Sequence, residues 1–284
     1  MVSQPLREAV RDHYDRLSPF YRRFWGEHIH HGFWEQGDEP FPVREAQERL
    51  TERLATFARV PRGARVLDVG CGLGGSSLWL ARHRNCSVLG ITLSPVQAAL
   101  ATEQARKERL DGQVHFERRD ATCLDLPLES FDAVWVIECS EHLEDKARFF
   151  AECARVLRPG GALALCAWLA ADDPAPEQQN LIHEVCRGML CPSLGSQRDY
   201  LRWLRAAGFA EIAFEDITRR VEQTWEHCAL VARRPEVQLL LRTADDRTRD
   251  FVGAFDAIHQ AYAGGAMAYG MFAATRTRGG APER

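Results

Sequence analysis

Several things this chain lacks narrow its class. Its nine cysteines are odd in number, irregularly spaced and never form a CxxC pair. Cys139, Cys153, Cys166 and Cys228 sit in apolar stretches, which points to reduced, buried thiols of a cytoplasmic enzyme. No long apolar run occurs, and the first residues carry Arg7, Glu8, Arg11 and Asp12, so neither a secretory signal nor a membrane span is expected. Charge of one sign is not concentrated either: 36 Lys and Arg mix with 40 Asp and Glu for a formal net charge of -4, which offers no basic track for a nucleic-acid backbone. The one arginine concentration, Arg276, Arg278 and Arg284 among Gly279, Gly280 and Pro282, reads as a frayed terminus. Internal repeats and low-complexity tracts are missing. At 284 residues, one core with insertions is expected rather than two independent domains.

What is present is an alternation of strand and helix signals. Leu6 to Trp25 has the three- and four-residue spacing of a helix, with Ser18-Pro19 as a point where it kinks or divides. An aromatic and histidine patch, His28 to Trp34, and a polar linker through Pro40 and Pro42 lead to a second helix, Val43 to Ala58. Strands follow at Val66 to Val69, Ser87 to Ile91, Val114 to Glu117, Phe131 to Ile137, Ala162 to Trp168 and Ile212 to Ile217. Helices are expected at Ser76 to Arg84, Pro95 to Arg109, Asp145 to Val156 and Gln197 to Ala206. The Arg158 to Gly161 run, RPGG, is read as the turn into the fifth strand. Arg219 to Tyr262 is mostly helical, and a last strand occupies Ala268 to Ala273. This is the pattern of an open, doubly wound α/β sheet. The division it suggests is N-terminal helices and a lid over 1–60, a main domain over 61–275 with roof segments 170–196 and 219–262, and a flexible tail over 276–284. Oligomeric state, monomer or homodimer, is not legible.

Arg65 to Gly75 reads RVLDVGCGLGG, an apolar strand running into a glycine-dense turn. Glycines strip the backbone so that a nucleoside-bearing cofactor can lie against it. A phosphate loop would carry GxxxxGKS or GxxxxGKT, and Asp68 would repel a pyrophosphate. A nicotinamide enzyme would carry an acidic ribose ligand after the second strand, where this chain has Thr92, Leu93 and Ser94. A cofactor bringing positive charge fits better, and S-adenosylmethionine has both an ammonium and a sulfonium. Asp68 would organise the loop amides or neutralise the ammonium, and Asp120, after the third strand, would meet an adenine edge or serve only as a turn residue.

These residues resemble the class I S-adenosylmethionine-dependent methyltransferases, and in particular a small-molecule branch around plant tocopherol C-methyltransferases and bacterial natural-product enzymes. The resemblance runs over HIHHGFW (His28 to Trp34), VLDVGCGLGGSS (Val66 to Ser77), GITLSPVQ (Gly90 to Gln97), SEHLEDK (Ser140 to Lys146), ARVLRPGG (Ala154 to Gly161) and AYGMFAAT (Ala268 to Thr275). It implies a seven-stranded, mostly parallel, Rossmann-like sheet whose final strand lies antiparallel between strands five and six, with an N-terminal helical lid and a helical insertion before that strand. It further implies that Asp68, Gly70 and Gly72 line the methionine end of the cofactor. Thr92, Leu93 and Gln97 would flank ribose or adenine, Asp120 and Ala121 would hold adenine, and Glu138 would face the sulfonium.

Methyl transfer from a sulfonium asks the protein to align the partners and exclude water, and a base is needed only when the nucleophile must lose a proton. His142 is the candidate base, against a structural reading in which Glu141 and His142 brace the helix that follows. Tyr14, Tyr21, His30, His31, Phe33 and Trp34 are expected as a lid suited to a hydrophobic or cyclic small-molecule acceptor. Trp168 is expected at the substrate, with His183, Met189 and Leu190 along the pocket. Trp225, Phe255, Ile258 and Tyr262 are read as core or roof. His28, His30 and His31 lack the flanking pattern of a metal site, so none is assigned. The acceptor is expected to be methylated on carbon, nitrogen or oxygen, with carbon and nitrogen slightly ahead. The alternative keeps the cofactor but uses the pocket for a cyclisation.

Overall fold

The computed structural model describes residues 4–35, 42–242 and 244–277. Two helices, α1 (Gln4–Phe24) and α2 (Val43–Phe57), precede the sheet. The chain then alternates through β1 (Arg65–Val69), α3 (Gly75–Arg84), β2 (Ser87–Thr92), α4 (Pro95–Lys107), β3 (Val114–Arg118) and β4 (Phe131–Ile137). A short 3-10 turn (Ser140–His142) leads to α5 (Lys146–Val156) and β5 (Leu157–Ala170). Next come α6 (Pro176–Gly188), α7 (Gln197–Ala206) and β6 (Phe209–Asp216). Four helices, α8 (Thr218–Val221), α9 (Gln223–Ala232), α10 (Pro235–Arg242) and α11 (Asp246–Ala263), separate β6 from β7 (Met267–Arg276).

The seven strands are ordered β3-β2-β1-β4-β5-β7-β6, and β7 runs antiparallel to both its neighbours. Central strands such as β4, FDAVWVI, are apolar after Asp132 because helices cover both faces. On one face Leu50, Leu54, Leu78 and Leu80 of α2 and α3 pack on Val66, Val88 and Ala133. On the other, Phe149 and Phe150 of α5 with Tyr200 and Leu204 of α7 pack on Leu67, Val134, Leu163 and Phe272. The chain winds outward from β1 to β3, then returns to place β4 on the other side of β1. That reversal opens a crevice at the carboxyl ends of β1 and β4, the place where open α/β sheets hold ligands.

Three elements depart from expectation. α1 runs unbroken through Pro19, although proline removes an N–H and disfavours helix in the residue before it. Tertiary contacts hold it: Arg7 pairs with Asp120, Arg22 with Glu103, Arg16 with Asp245, and Ser94 donates to Asp15. RPGG does not turn the chain into a new strand but forms a bulge inside β5, where Leu157 pairs with Phe131 and Ala162 with Ala133. Gly160, at φ 79, supplies the left-handed backbone this needs. Within 170–196 the structure has an ordered helix, α6, packed on α11. Arg276, placed at sequence level at the start of a tail, closes β7 and donates to Leu157 O, whereas Arg278 and Arg284 lie outside the described residues, as does the linker over 36–41.

Phe272 of β7 is fully buried, stacked on Tyr200 at 5.3 Å and set against Phe214 at 4.9 Å. Phe272→Ala should cost about 3–5 kcal/mol of unfolding free energy, read from urea denaturation.

Candidate active site

A cavity opens over the carboxyl ends of β1, β2 and β4, beneath α1, the His28 to Trp34 strap and helices α9 to α11. Its floor is the glycine loop. Gly70 sits at φ 76, and a Cβ there would lie 2.5 Å from Cys139 Sγ, so only glycine lets this loop lie against the turn after β4. Gly70 and Cys71 donate their N–H groups to Ile91 O, tying the loop to β2. Asp68 is buried and accepts a 2.5 Å hydrogen bond from Ser77 Oγ. Burial raises its pKa to about 7, against the lowering effect of Ser77.

Beyond β2, Thr92 Oγ1 donates to Gln97 Oε1 at 2.7 Å, and Ser94 Oγ caps α4 by accepting from Gln97 N. Gln97 Nε2 is buried with no hydrogen-bond partner among the described residues. Leu93 and Ala121 also line this part of the cavity. Asp120 stands at its edge, where Oδ1 accepts from Thr122 N and Oγ1 and Oδ2 pairs with Arg7 at 2.5 Å. Burial opposes ionisation of Asp120, and these partners overcome it, leaving its pKa lowered.

At the end of β4 the backbone of Glu138 is strained at φ 51. Its Oε1 accepts from His31 N at 2.8 Å, His31 Nδ1 at 2.9 Å and Tyr269 OH at 2.7 Å. Burial would raise this carboxyl, but the hydrogen bonds from His31 N and Nδ1 outweigh it and hold the pKa below the usual carboxylate range. His31 Nε2 accepts from Trp225 Nε1 at 2.8 Å, so the tautomer that satisfies both neighbours carries its proton on Nδ1. His30 donates from Nδ1 to His31 O and accepts from His28 Nδ1 at 3.0 Å, and Gln47 Nε2 fastens the strap through His28 O and His30 O. Burial lowers the pKa of both His28 and His30.

His142 donates from Nδ1 to Leu190 O at 3.2 Å, which turns the Nε2 lone pair to Tyr14 OH at 3.0 Å. Burial lowers its pKa, so the ring is neutral and able to accept a proton. Asp145 caps α5 by accepting from Arg148 N, and Glu141 Oε1 accepts from Trp168 N at 2.7 Å. Burial raises Glu141 to about 7.

The structure thus gathers Tyr14, Tyr21, His30, His31, Asp68, Gly70, Gly72, Thr92, Leu93, Gln97, Asp120, Ala121, Glu138, His142 and Trp168 around one cavity. Phe33 and Trp34 lie elsewhere. Phe33 packs with Leu50 and Leu54 in the core, and Trp34 is buried against His227 in a stacked pair at 5.7 Å. His183 faces a separate shallow depression by α6, while Met189, Trp225 and Phe255 reach the main cavity. Sequence reasoning did not assign Arg7, Phe251 or the carboxyl of Glu141 to the cavity. Arg7 and Phe251 sit on helices whose docking only the fold reveals, and Glu141 carries no local signal beyond its neighbour His142.

Residues 67–165 match a family model described as a methyltransferase domain. The chain is 35% identical over 242 residues to the tocopherol O-methyltransferase of Arabidopsis thaliana, covering 78% of this chain and 69% of that one. It is 35% identical over 230 residues to the 27-O-demethylrifamycin SV methyltransferase of Amycolatopsis mediterranei, covering 80% and 83%. The crystal structure of the 4+2 cyclase SpnF superposes with a TM-score of 0.79 at 29% identity, covering 95% of this chain and 96% of that one. The glycine cradle, the buried acid beside it and the orphaned Gln97 amide fit the ligand these relatives imply. Gly70→Ala should weaken S-adenosylhomocysteine binding by about tenfold or more in calorimetry, since strain and the Cys139 clash together cost on the order of 1–3 kcal/mol. With its sheet order, its glycine loop and relatives matched over most of their length, the chain belongs to the class I S-adenosylmethionine-dependent methyltransferases.

Proposed function

We propose that the chain methylates a hydroxyl oxygen of an uncharged, lipophilic small molecule seated under α9 to α11, with His142 as the base. Bound S-adenosylmethionine supplies an activated methyl group on sulfur. Asp68 and the Gly70 to Gly72 backbone would hold its ammonium end, Gln97 with Thr92 its ribose, Leu93, Asp120 and Ala121 its adenine, and the Glu138 carboxylate would face the sulfonium. The acceptor half of the cavity is walled by Trp168, Met189, Trp225, Phe251 and Phe255, which suits an apolar body. Tyr14, Tyr21, His30 and His31 close it against water.

The observation that carries this reading is the His142 lone pair, held toward the cavity by Leu190 O and occupied by the Tyr14 hydroxyl. An alcohol or phenol must shed a proton during attack, and a neutral imidazole can take it, whereas an already nucleophilic amine or activated carbon makes less use of it. The two relatives with O-methyl chemistry in their names point the same way, and this reverses the slight preference for carbon and nitrogen drawn from sequence. The likeness to a cyclase favours one second reading, in which the same cavity folds an acceptor for ring closure and the methyl is not used.

We also read the chain as cytoplasmic, with no nucleic-acid partner and a division into an N-terminal lid over 1–60 and a main domain from 61 that extends through Arg276 at the end of β7. Support comes from nine free cysteines and a net charge of -4. Among the described residues no helix is long and apolar enough to cross a membrane.

His142→Ala should lower kcat about 100-fold or more, with S-adenosylhomocysteine affinity held within about twofold; equal loss of both would defeat the base assignment. Asp68 gives a pH prediction. Its raised pKa, about 7, keeps it protonated below that pH, and a cofactor ammonium favours the carboxylate. Affinity should therefore rise as pH approaches 7 and level off above it. Calorimetry below pH 7 in buffers of different ionisation enthalpy should detect a released proton that Asp68→Asn abolishes.

A further inference from the structure

Of the 36 basic residues all but two are arginines, and the two lysines are Lys107 and Lys146. Lys107 is a surface residue paired with Glu103 one helical turn away. Lys146 is different: it is 2% exposed at the start of α5, four residues after His142. Its Nζ donates to Leu143 O at 2.7 Å and to Ser193 O at 2.9 Å. Leu143 closes the turn that carries His142, and Ser193 belongs to the 189–195 segment that follows α6. Leu190, in that same segment, is the carbonyl partner of His142 Nδ1, and it is held in the left-handed region at φ 54, a conformation unfavourable for leucine. A strained carbonyl stays aimed at the imidazole only if its segment is pinned, and the Lys146 to Ser193 bond is a pin. A compact ammonium can reach two carbonyls on opposite segments from one point, whereas the flat guanidinium fork of arginine cannot take the same place.

Charge matters here as well. The groups acting on the His142 and Tyr14 pair are His13 from α1, Glu138, Cys139 and Glu141 after β4, Cys191 from the 189–195 segment, and Lys146 itself. The ionised Glu138 favours an imidazolium, which could not serve as a base, and Lys146 opposes it.

We propose that Lys146 is the positioning residue for His142: its ammonium staples the 189–195 segment to the His142 turn and so keeps the Leu190 carbonyl on Nδ1, and its charge joins burial in disfavouring an imidazolium. The role in catalysis rests on the reading of His142 as base, but the coupling between the two side chains can be measured without turnover.

The test uses full-length protein labelled with 15N-histidine and saturated with S-adenosylhomocysteine, with the His142 ring signals identified by their loss in His142→Gln. Wild-type His142 should titrate below the ordinary histidine value. Lys146→Gln, which keeps a donor and removes the charge, should raise the proton affinity of His142 about tenfold. Lys146→Met, which removes both, should do the same and also loosen the Nδ1 hydrogen bond to Leu190, seen as faster exchange of that ring proton. A wild-type His142 that titrates at or above the ordinary value overturns the proposal, and this needs no variant to fold. So does an unchanged titration in a folded Lys146→Gln. Wild-type turnover by His142→Ala would remove the base reading alone, leaving the measured coupling as it stands.

Discussion

The chamber depends on one half-buried carboxylate. Glu138 leaves β4 with a strained backbone, and a single oxygen accepts from the strap through His31, twice, and from β7 through Tyr269. His31 then passes the connection to the roof, taking the indole N–H of Trp225 on α9. Strap, sheet and roof are separate stretches of chain, and this acid is where they meet. Hydrogen bonds to a charged group are among the stronger ones, and removing any donor would leave this largely enclosed charge under-satisfied. The strain at φ 51 is tolerated because so many partners fix the residue.

Around that point the cavity divides by polarity. Over β1 to β3 its surface is open backbone, acids and an amide, the groups that recognise a charged nucleoside derivative. Under the roof it is aromatic and aliphatic, with His142 at the border. Burial does opposite things to these groups: it raises Asp68 and Glu141 to about 7, so their protons are poised near neutrality, and it pushes His142 toward its neutral form. Glu138 is the exception, kept ionised by its donors.

Much of this was legible in the sequence because local signals and tertiary structure agree. Short, largely apolar runs ending in glycine or polar turns mark β1, β2 and β4, and the alternation of strands with helices points to the parallel sheet. The glycine loop announces itself because only glycine allows the approach to Cys139. Disagreement arose where distant contacts overrule local preference. Pro19 stays helical because α1 is pinned at several points along its length, by residues as remote as Asp120 and Asp245. RPGG has turn composition, yet pairing with β4 continues on both sides of it and makes a bulge. Phe33 and Trp34 share the composition of a lid, but composition has no direction, and the bonds of Phe33 N to Ala46 O and Trp34 N to Arg220 O turn them away from the cavity. The Leu190 carbonyl that orients the His142 ring was not legible, because it lies 48 positions along the chain.

The most direct test of the whole account is the fate of the methyl group. Purified protein would be incubated with S-adenosylmethionine bearing a deuterated methyl and an extract of lipophilic hydroxylated metabolites, and products would be located by mass spectrometry and NMR. The account predicts a labelled product with the deuterated methyl on oxygen, together with S-adenosylhomocysteine. An unlabelled, rearranged product of unchanged mass, or a label on carbon or nitrogen, would contradict it.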